Sequence, residues 1–240
     1  MQSIKIKKHS WWTSVTLIVI SLWEKTRRLI PFLREPHVRV YLPRQYDNDG
    51  RARTAVHEAG HAVVAWSAKS VRHITRIIIT ADREEEDLFL NAGRTKYIKK
   101  GTPWGETPHR LWEDVAIGLA GLAAESNVYD FFQPSGAEED LGDALLAAKL
   151  IVRKERRKGK IFSPPWRKET PMRNALDLAS VCYHPNELTP RLSEILNLSY
   201  YRACDIVRAE RERLDALAVA VHKKGALQKK EIKTILGRRR

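Results

Sequence analysis

Residues 51–69 read RARTAVHEAGHAVVAWSAK. Ala55, Val56, Ala59, Val63 and Trp66 recur at the three- and four-residue steps of a single helix face, so the stretch reads as a helix. Within it, His57-Glu58-Ala59-Gly60-His61 is an H-E-x-x-H. The spacing carries chemistry only on a helix, where positions i and i+4 share a face and both imidazoles reach one metal ion. Glu58 is one step around from His57, beside the corner such a site leaves open to water. Two neutral nitrogen ligands, an open corner and a carboxylate base are what metal-assisted hydrolysis requires. A site with two histidines needs a third protein ligand. Glu125, Glu138, Glu139, Asp140 and Asp143 lie downstream, and spacing alone does not choose among them.

The flanking sequence supplies a mainly α fold with a small β-sheet, of the α+β class. His73–Thr80 (HITRIIIT) is rich in β-branched residues and reads as a strand, with Arg94–Lys99 as its antiparallel partner. The acidic run Asp82–Asp87 between them reads as a solvated loop. Leu111–Val128 reads as a second helix, with Leu111, Val115, Leu119 and Leu122 on one face and Gly118 and Gly121 suited to close helix packing. Phe131–Gly136 reads as a loop and Asp140–Arg153 as a third helix. The basic, proline-bearing stretch 154–166 (KERRKGKIFSPPW) is expected to be exposed. Residues 191–223 carry the longest helical pattern, and Glu231–Leu236 one last short helix.

The chain has 240 residues with 43 Lys+Arg against 29 Asp+Glu, a formal net charge of +14. The excess avoids the middle: residues 1–49 hold 9 basic and 4 acidic groups, residues 50–150 hold 12 and 15, and residues 151–240 hold 22 and 10. A 43% hydrophobic, 30% charged composition excludes wholesale disorder. Two cysteines exclude a disulfide framework and a cysteine-rich zinc module, and suit a cytoplasmic chain. Residues 10–23 (SWWTSVTLIVISLW) are uncharged. As a helix they span about 21 Å, short of a bilayer core of about 30 Å. Lysines and arginines flank both sides, so charge gives no orientation. Two readings stand: a segment lying in a membrane interface, or an N-terminal arm. Pro31, Pro36 and Pro43 then punctuate a linker, so residues 1–50 read as an arm and residues 51–237 as the domain.

Three separated motifs resemble one family, in order. Thr54–Trp66 (TAVHEAGHAVVAW) resembles the zinc-binding helix of the FtsH-type ATP-dependent zinc proteases. Leu119–Glu125 (LAGLAAE) is similar to that family's G-G-R-x-A-E-E, and Ser135–Leu141 (SGAEEDL) to its S-G-A-x-x-D-L. Residues 191–236 resemble its final long helix and terminal helix. The resemblance implies a zincin-like helical metalloprotease domain binding Zn²⁺ through His57, His61 and Asp140, which lies 79 residues after His61. It implies a zinc-dependent metalloendopeptidase with Glu58 as catalytic base, and Glu125 as the candidate to hold the outer ring N–H of a ligand histidine.

The sequence also departs from the family. Leu122 stands at the arginine of G-G-R, and Ser126 at the second glutamate. No G-x-x-x-x-G-K-[ST] occurs: the single Gly-Lys is Gly159-Lys160, and Lys154 stands where the first glycine belongs. The expectation is therefore a peptidase without its own ATPase motor, acting on flexible segments, unfolded proteins or peptides held along a sheet edge. Expected partners are a polypeptide substrate, a separate AAA+ ATPase that the chain serves as accessory subunit, and, by analogy with hexameric relatives, further copies of itself. A dedicated repressor-cutting metallopeptidase of the ImmA/IrrE kind is an alternative, against which the S-G-A-x-x-D-L match weighs. A regulatory protein with a structural metal and a nucleic-acid-binding C-terminal part is another. The intact H-E-x-x-H opposes it, because a structural site has no use for Glu58, and nucleic acid is not the expected partner.

Overall fold

The computed structural model describes residues 50–79, 93–100, 107–130, 137–166 and 188–238. The apolar segment 10–23, the proline linker and the loops read at 82–87 and 131–136 lie outside the described residues. Among the described residues no helix is long and apolar enough to cross a membrane.

Helix α1 (Gly50–Ser67) is the element around which the others pack. The spacing of its larger apolar residues predicts a stripe, but the helix is buried nearly all round, from Ala52 through Ala65. Its alanines and glycine explain this, since small side chains let neighbours approach from several directions. At Gly60, any Cβ would come within 2.5 Å of Ala124 Cβ and 2.6 Å of the Ala120 carbonyl oxygen.

Strands β1 (Val71–Ile79) and β2 (Gly93–Lys99) pair antiparallel, as the sequence suggests. A third strand, β3 (Ala226–Gln228), pairs antiparallel with residues 76–78 of β1, giving the order β2-β1-β3. Its three residues are too few to show a period. Two register shifts interrupt the β1–β2 ladder. They explain why β1 buries Val71, Ile74, Ile77 and Ile79 rather than alternate residues, since each irregularity offsets the alternation locally.

The helical pattern at Leu111–Val128 is two helices, α2 (Pro108–Gly118) and α3 (Ala120–Tyr129), joined at Leu119 with φ −91° and ψ 0°. The pattern at 191–223 is likewise two, α5 (Pro190–Ala209) and α6 (Arg211–Lys224), joined at Glu210. In both cases a single non-helical residue leaves the apolar spacing intact, so the pattern runs through the joint. Helices α2 and α5 begin with the same device: Thr107 and Thr189 accept from the backbone N–H groups of Arg110 and Leu192, with proline at the first helical position.

Helix α4 runs Glu138–Lys158, five residues beyond the expected end at Arg153. The stretch expected to be exposed therefore starts as helix, and Glu155 within it is buried. Acidic residues Glu138, Glu139 and Asp140 fill the first turn of α4, and Arg156, Arg157 and Lys158 the last, both in accord with the helix dipole. Helix α7 (Lys229–Leu236) closes the chain with a capping box between Gln228 and Glu231. α7 packs on β1 and α6, while α5 packs on α3, α2 and α4.

Candidate metal centre

His57, Glu58 and His61 all lie on α1 and are buried, at 9%, 5% and 6% exposed. Ionisable groups at that depth cost several kcal/mol unless they are partnered. The two imidazoles have partners on both edges of the ring.

On the outer edge, His57 Nδ1 lies 2.6 Å from Glu125 Oε1 on α3, and His61 Nδ1 lies 2.7 Å from the Ile117 carbonyl oxygen in the last turn of α2. A carbonyl oxygen only accepts, so His61 Nδ1 is the donor, and a carboxylate imposes the same role on His57. On the inner edge, both Nε2 atoms point at one atom, Asp140 Oδ2, at 3.0 Å from His57 and 3.1 Å from His61. The rings stand 4.8 Å apart, centroid to centroid, at 63°. With Nδ1 committed as donor, Nε2 of a neutral imidazole is a lone pair. Two nitrogen lone pairs and a carboxylate oxygen then converge, and only protons or a cation reconcile them.

The electrostatics express the same conflict. Burial alone would push His57 down, but the bonds to Asp140 and Glu125 and their charges outweigh it and raise the imidazole to about 10. Burial opposes the charge on His61 too, and Asp140 likewise carries it upward. Burial would raise Asp140, yet the two imidazoles hold its carboxyl well below the usual carboxylate range. In the absence of a metal, protons on the inner ring nitrogens would relieve the conflict. A divalent cation held by the three residues would take the place of those protons and leave each ring its donor Nδ1–H. His57, His61 and Asp140 can each offer one ligand atom to such an ion, these atoms lying within 4.8 Å of one another. The donor set suits a borderline cation that accepts both imidazole and carboxylate ligands.

Of the five acids that the sequence left as alternatives, Asp140 is the one at the inner edge. Glu138, Glu139 and Asp143 are exposed, and Glu139 pairs with Arg94 at 2.9 Å. Glu125 is on the outer edge, at His57 Nδ1. Small residues make this geometry possible. A Cβ at Gly121 would lie 2.2 Å from His57 Nε2, so α3 passes against the ring only because residue 121 is glycine. A Cβ at Gly118 would lie 3.0 Å from the Asp140 carbonyl oxygen and from Ala144 Cβ, which seats α2 on α4.

Glu58 is not among the converging ligand atoms, and it is bonded to β2. Its Oε2 lies 2.7 Å from Thr95 Oγ1, and burial pushes its carboxyl up against the opposing pull of His61, His57 and that hydroxyl. Two groups at the site were not anticipated from the sequence. The Ile117 oxygen is backbone and leaves no residue-type signal. Thr95 shows only as an inward position of an alternating strand.

Comparisons with known proteins find relatives of this chain. Residues 44–161 match the model of peptidase family M41. The ATP-dependent zinc metalloprotease FtsH 3 of Petrotoga mobilis is 25% identical over 190 residues, 76% of this chain and 28% of that protein. FtsH 1 of Sorangium cellulosum is 29% identical over 190 residues, 77% and 30%. The ATP-dependent zinc metalloprotease YME1L of Drosophila melanogaster is 28% identical over 208 residues, 85% and 26%. The chain thus spans less than a third of the length of these relatives. The family match covers the H-E-x-x-H helix, the Glu125 segment and the Asp140 segment, the same three motifs that carry the sequence resemblance. Residues 44–161 are a peptidase family M41 domain, and the chain is a relative of the FtsH-type zinc metalloproteases.

Proposed function

We propose that this chain is a zinc-dependent endopeptidase in which His57, His61 and Asp140 hold one Zn²⁺ and Glu58 is the catalytic base. The observation that carries the reading is that both inner ring nitrogens face one carboxylate oxygen, Asp140 Oδ2, while both outer ring nitrogens are bonded to Glu125 and Ile117. The ion, when bound, supplies Lewis acidity that acidifies water and polarises a carbonyl. The protein's own groups do the rest. Glu125 and the Ile117 carbonyl fix the tautomer and orientation of the two rings. Glu58 is buried and is not one of the converging groups, so its carboxylate is available to take a proton from the attacking water and return it to the leaving amine.

The substrate reading is a flexible or unfolded polypeptide. Among the described residues β2 pairs on one side only, with β1, and β2 is the strand that touches Glu58. The strand read at 73–80 is central rather than an edge, so an extended peptide added to the sheet would lie along β2. A second reading is that a separate ATPase serves this domain. The relatives' names describe ATP-dependent proteases, and this chain's 240 residues contain no P-loop motif.

The deciding experiment measures zinc content and casein cleavage for the wild type, Glu58→Gln and Asp140→Ala. We expect one zinc and cleavage in the wild type, zinc without cleavage in Glu58→Gln, and loss of zinc in Asp140→Ala. Undiminished metal in Asp140→Ala would remove Asp140 from the ligand set, and wild-type cleavage by Glu58→Gln would end the base assignment.

A further inference from the structure

We infer that β2 positions the Glu58 carboxylate from both sides, with Thr95 as the residue that holds it and Gly93 as the residue that makes room for it. The inference rests on the reading of Glu58 as the base. That role requires more than the presence of a carboxylate: its oxygens must stay where the proton leaves the water, within a fraction of an ångström. A glutamate has three rotatable side-chain bonds, and α1 alone does not fix them.

Thr95 Oγ1 lies 2.7 Å from Glu58 Oε2 and 2.9 Å from the Glu58 backbone oxygen. Among the described residues, Thr95 is the one side chain hydrogen-bonded to that carboxyl group. The hydroxyl has one hydrogen and two acceptors from a single residue. While Glu58 is ionised, the hydrogen belongs to Oε2, since a charged acceptor makes the stronger bond. The proton taken from water must stay free for the leaving amine, so it does not pass to Thr95, and Oε2 keeps its bond to the threonine hydrogen through the cycle.

Gly93 lies two residues earlier on the same face of β2. A Cβ there would come 2.6 Å from Glu58 Cγ, 2.7 Å from Glu58 Oε1 and 2.8 Å from Thr54 Cγ2. One carboxylate oxygen is thus held by a hydroxyl while the other rests against a bare Cα. The β-branch of Thr95 limits its own χ1, so the hydroxyl is itself well placed.

The test uses Thr95→Val, which keeps the shape and removes the hydroxyl, and Thr95→Ser, which keeps the hydroxyl. Zinc content, kcat and KM on a flexible fluorogenic peptide, and crystal structures of the metal-free proteins are the readouts. We expect Thr95→Val to keep full zinc and a KM within about twofold, and to lose kcat by about 10- to 100-fold, as for one hydrogen bond to a charged group. Thr95→Ser should recover most of that kcat. In metal-free Thr95→Val the Glu58 carboxylate should leave its position. Should valine prevent folding, Thr95→Ala is read by the same measures. Gly93→Ala should also keep zinc and lose kcat. Wild-type kcat in Thr95→Val, an equal loss in Thr95→Ser, or an unmoved Glu58 would overturn the role of Thr95. Wild-type kcat in Gly93→Ala would remove Gly93. If Glu58→Gln is inactive while Thr95→Val is fully active, only this inference fails. If Glu58→Gln is active, the base reading fails first.

Discussion

The two ends of α4 bury charge in opposite ways. At the last turn, Glu155 is 7% exposed and its bonds are closed. Oε1 accepts from the Phe162 backbone N–H and from Arg191 Nη2, Oε2 accepts from Arg191 Nε at 3.1 Å, and Arg191 Nη2 also donates to the Phe162 carbonyl at 3.0 Å. Donors meet acceptors, and the cluster fastens α4 to α5. At the first turn, Asp140 faces two imidazole nitrogens whose outer partners leave them as acceptors. Burial of charge is common to both ends, so burial is not what marks a site. The mark is a convergence of like groups that the protein itself leaves unreconciled.

This contrast can be broken by experiment. Glu58→Gln should have the largest effect at the Asp140 end, lowering cleavage by about 10²- to 10⁴-fold with zinc retained. Glu155→Ala should leave zinc content unchanged and lower stability by about 3 kcal/mol, at the low end for a broken buried pair because Arg191 keeps 22% of its side chain exposed. In a chain of this size that is a melting point lower by roughly 6–12 °C, readable by calorimetry. If Glu155→Ala instead lost zinc, the two ends would not be independent. Glu125→Gln should weaken zinc about 10- to 100-fold in a chelator competition, since the amide is a poorer acceptor for the His57 Nδ1–H. Unchanged affinity would mean that Glu125 packs without orienting the ring.

A further effect is a slope with pH in the metal-free chain. His57 is raised from 6.5 to about 10 in the folded state, so its contribution is complete below pH 6.5 and is lost as pH climbs through about 10. Asp140 acts at the other extreme: held below its ordinary range, it contributes above the pH at which it ionises unfolded and loses that contribution in acid. Melting temperatures of chelator-treated protein should therefore fall between pH 6.5 and 10, and zinc should flatten that fall, because the ion replaces the protons. An identical slope with and without zinc would refute the exchange.

What the sequence made legible follows from how far apart the cooperating residues lie. His57, Glu58 and His61 sit within five positions on one helix, so their relation could be read from the chain alone. Asp140 could not be singled out by spacing from its acidic neighbours. Only the family resemblance implies it, and α4 turns Glu138, Glu139 and Asp143 toward solvent. The joints at Leu119 and Glu210 escaped because one non-helical residue preserves the apolar rhythm on either side. The basic run after Arg153 reads as loop, yet its cations suit the last turn of a helix, and Gly159, at φ 58°, is what stops α4. Thr95 and the Ile117 carbonyl became visible only when strand and helices were assembled in space.

The joint at Leu119 has a consequence for how this domain tolerates change. Just before it, Ile117 braces one histidine through its carbonyl; just after it, Gly121 and Glu125 cradle the other. A single hinge thus sets the aim of both rings. Inserting or deleting one residue there would swing α3 by about 100° about its axis and strip His57 of its support while leaving His61 with its own. The count of residues between Ile117 and Gly121 is a fixed dimension of the machine.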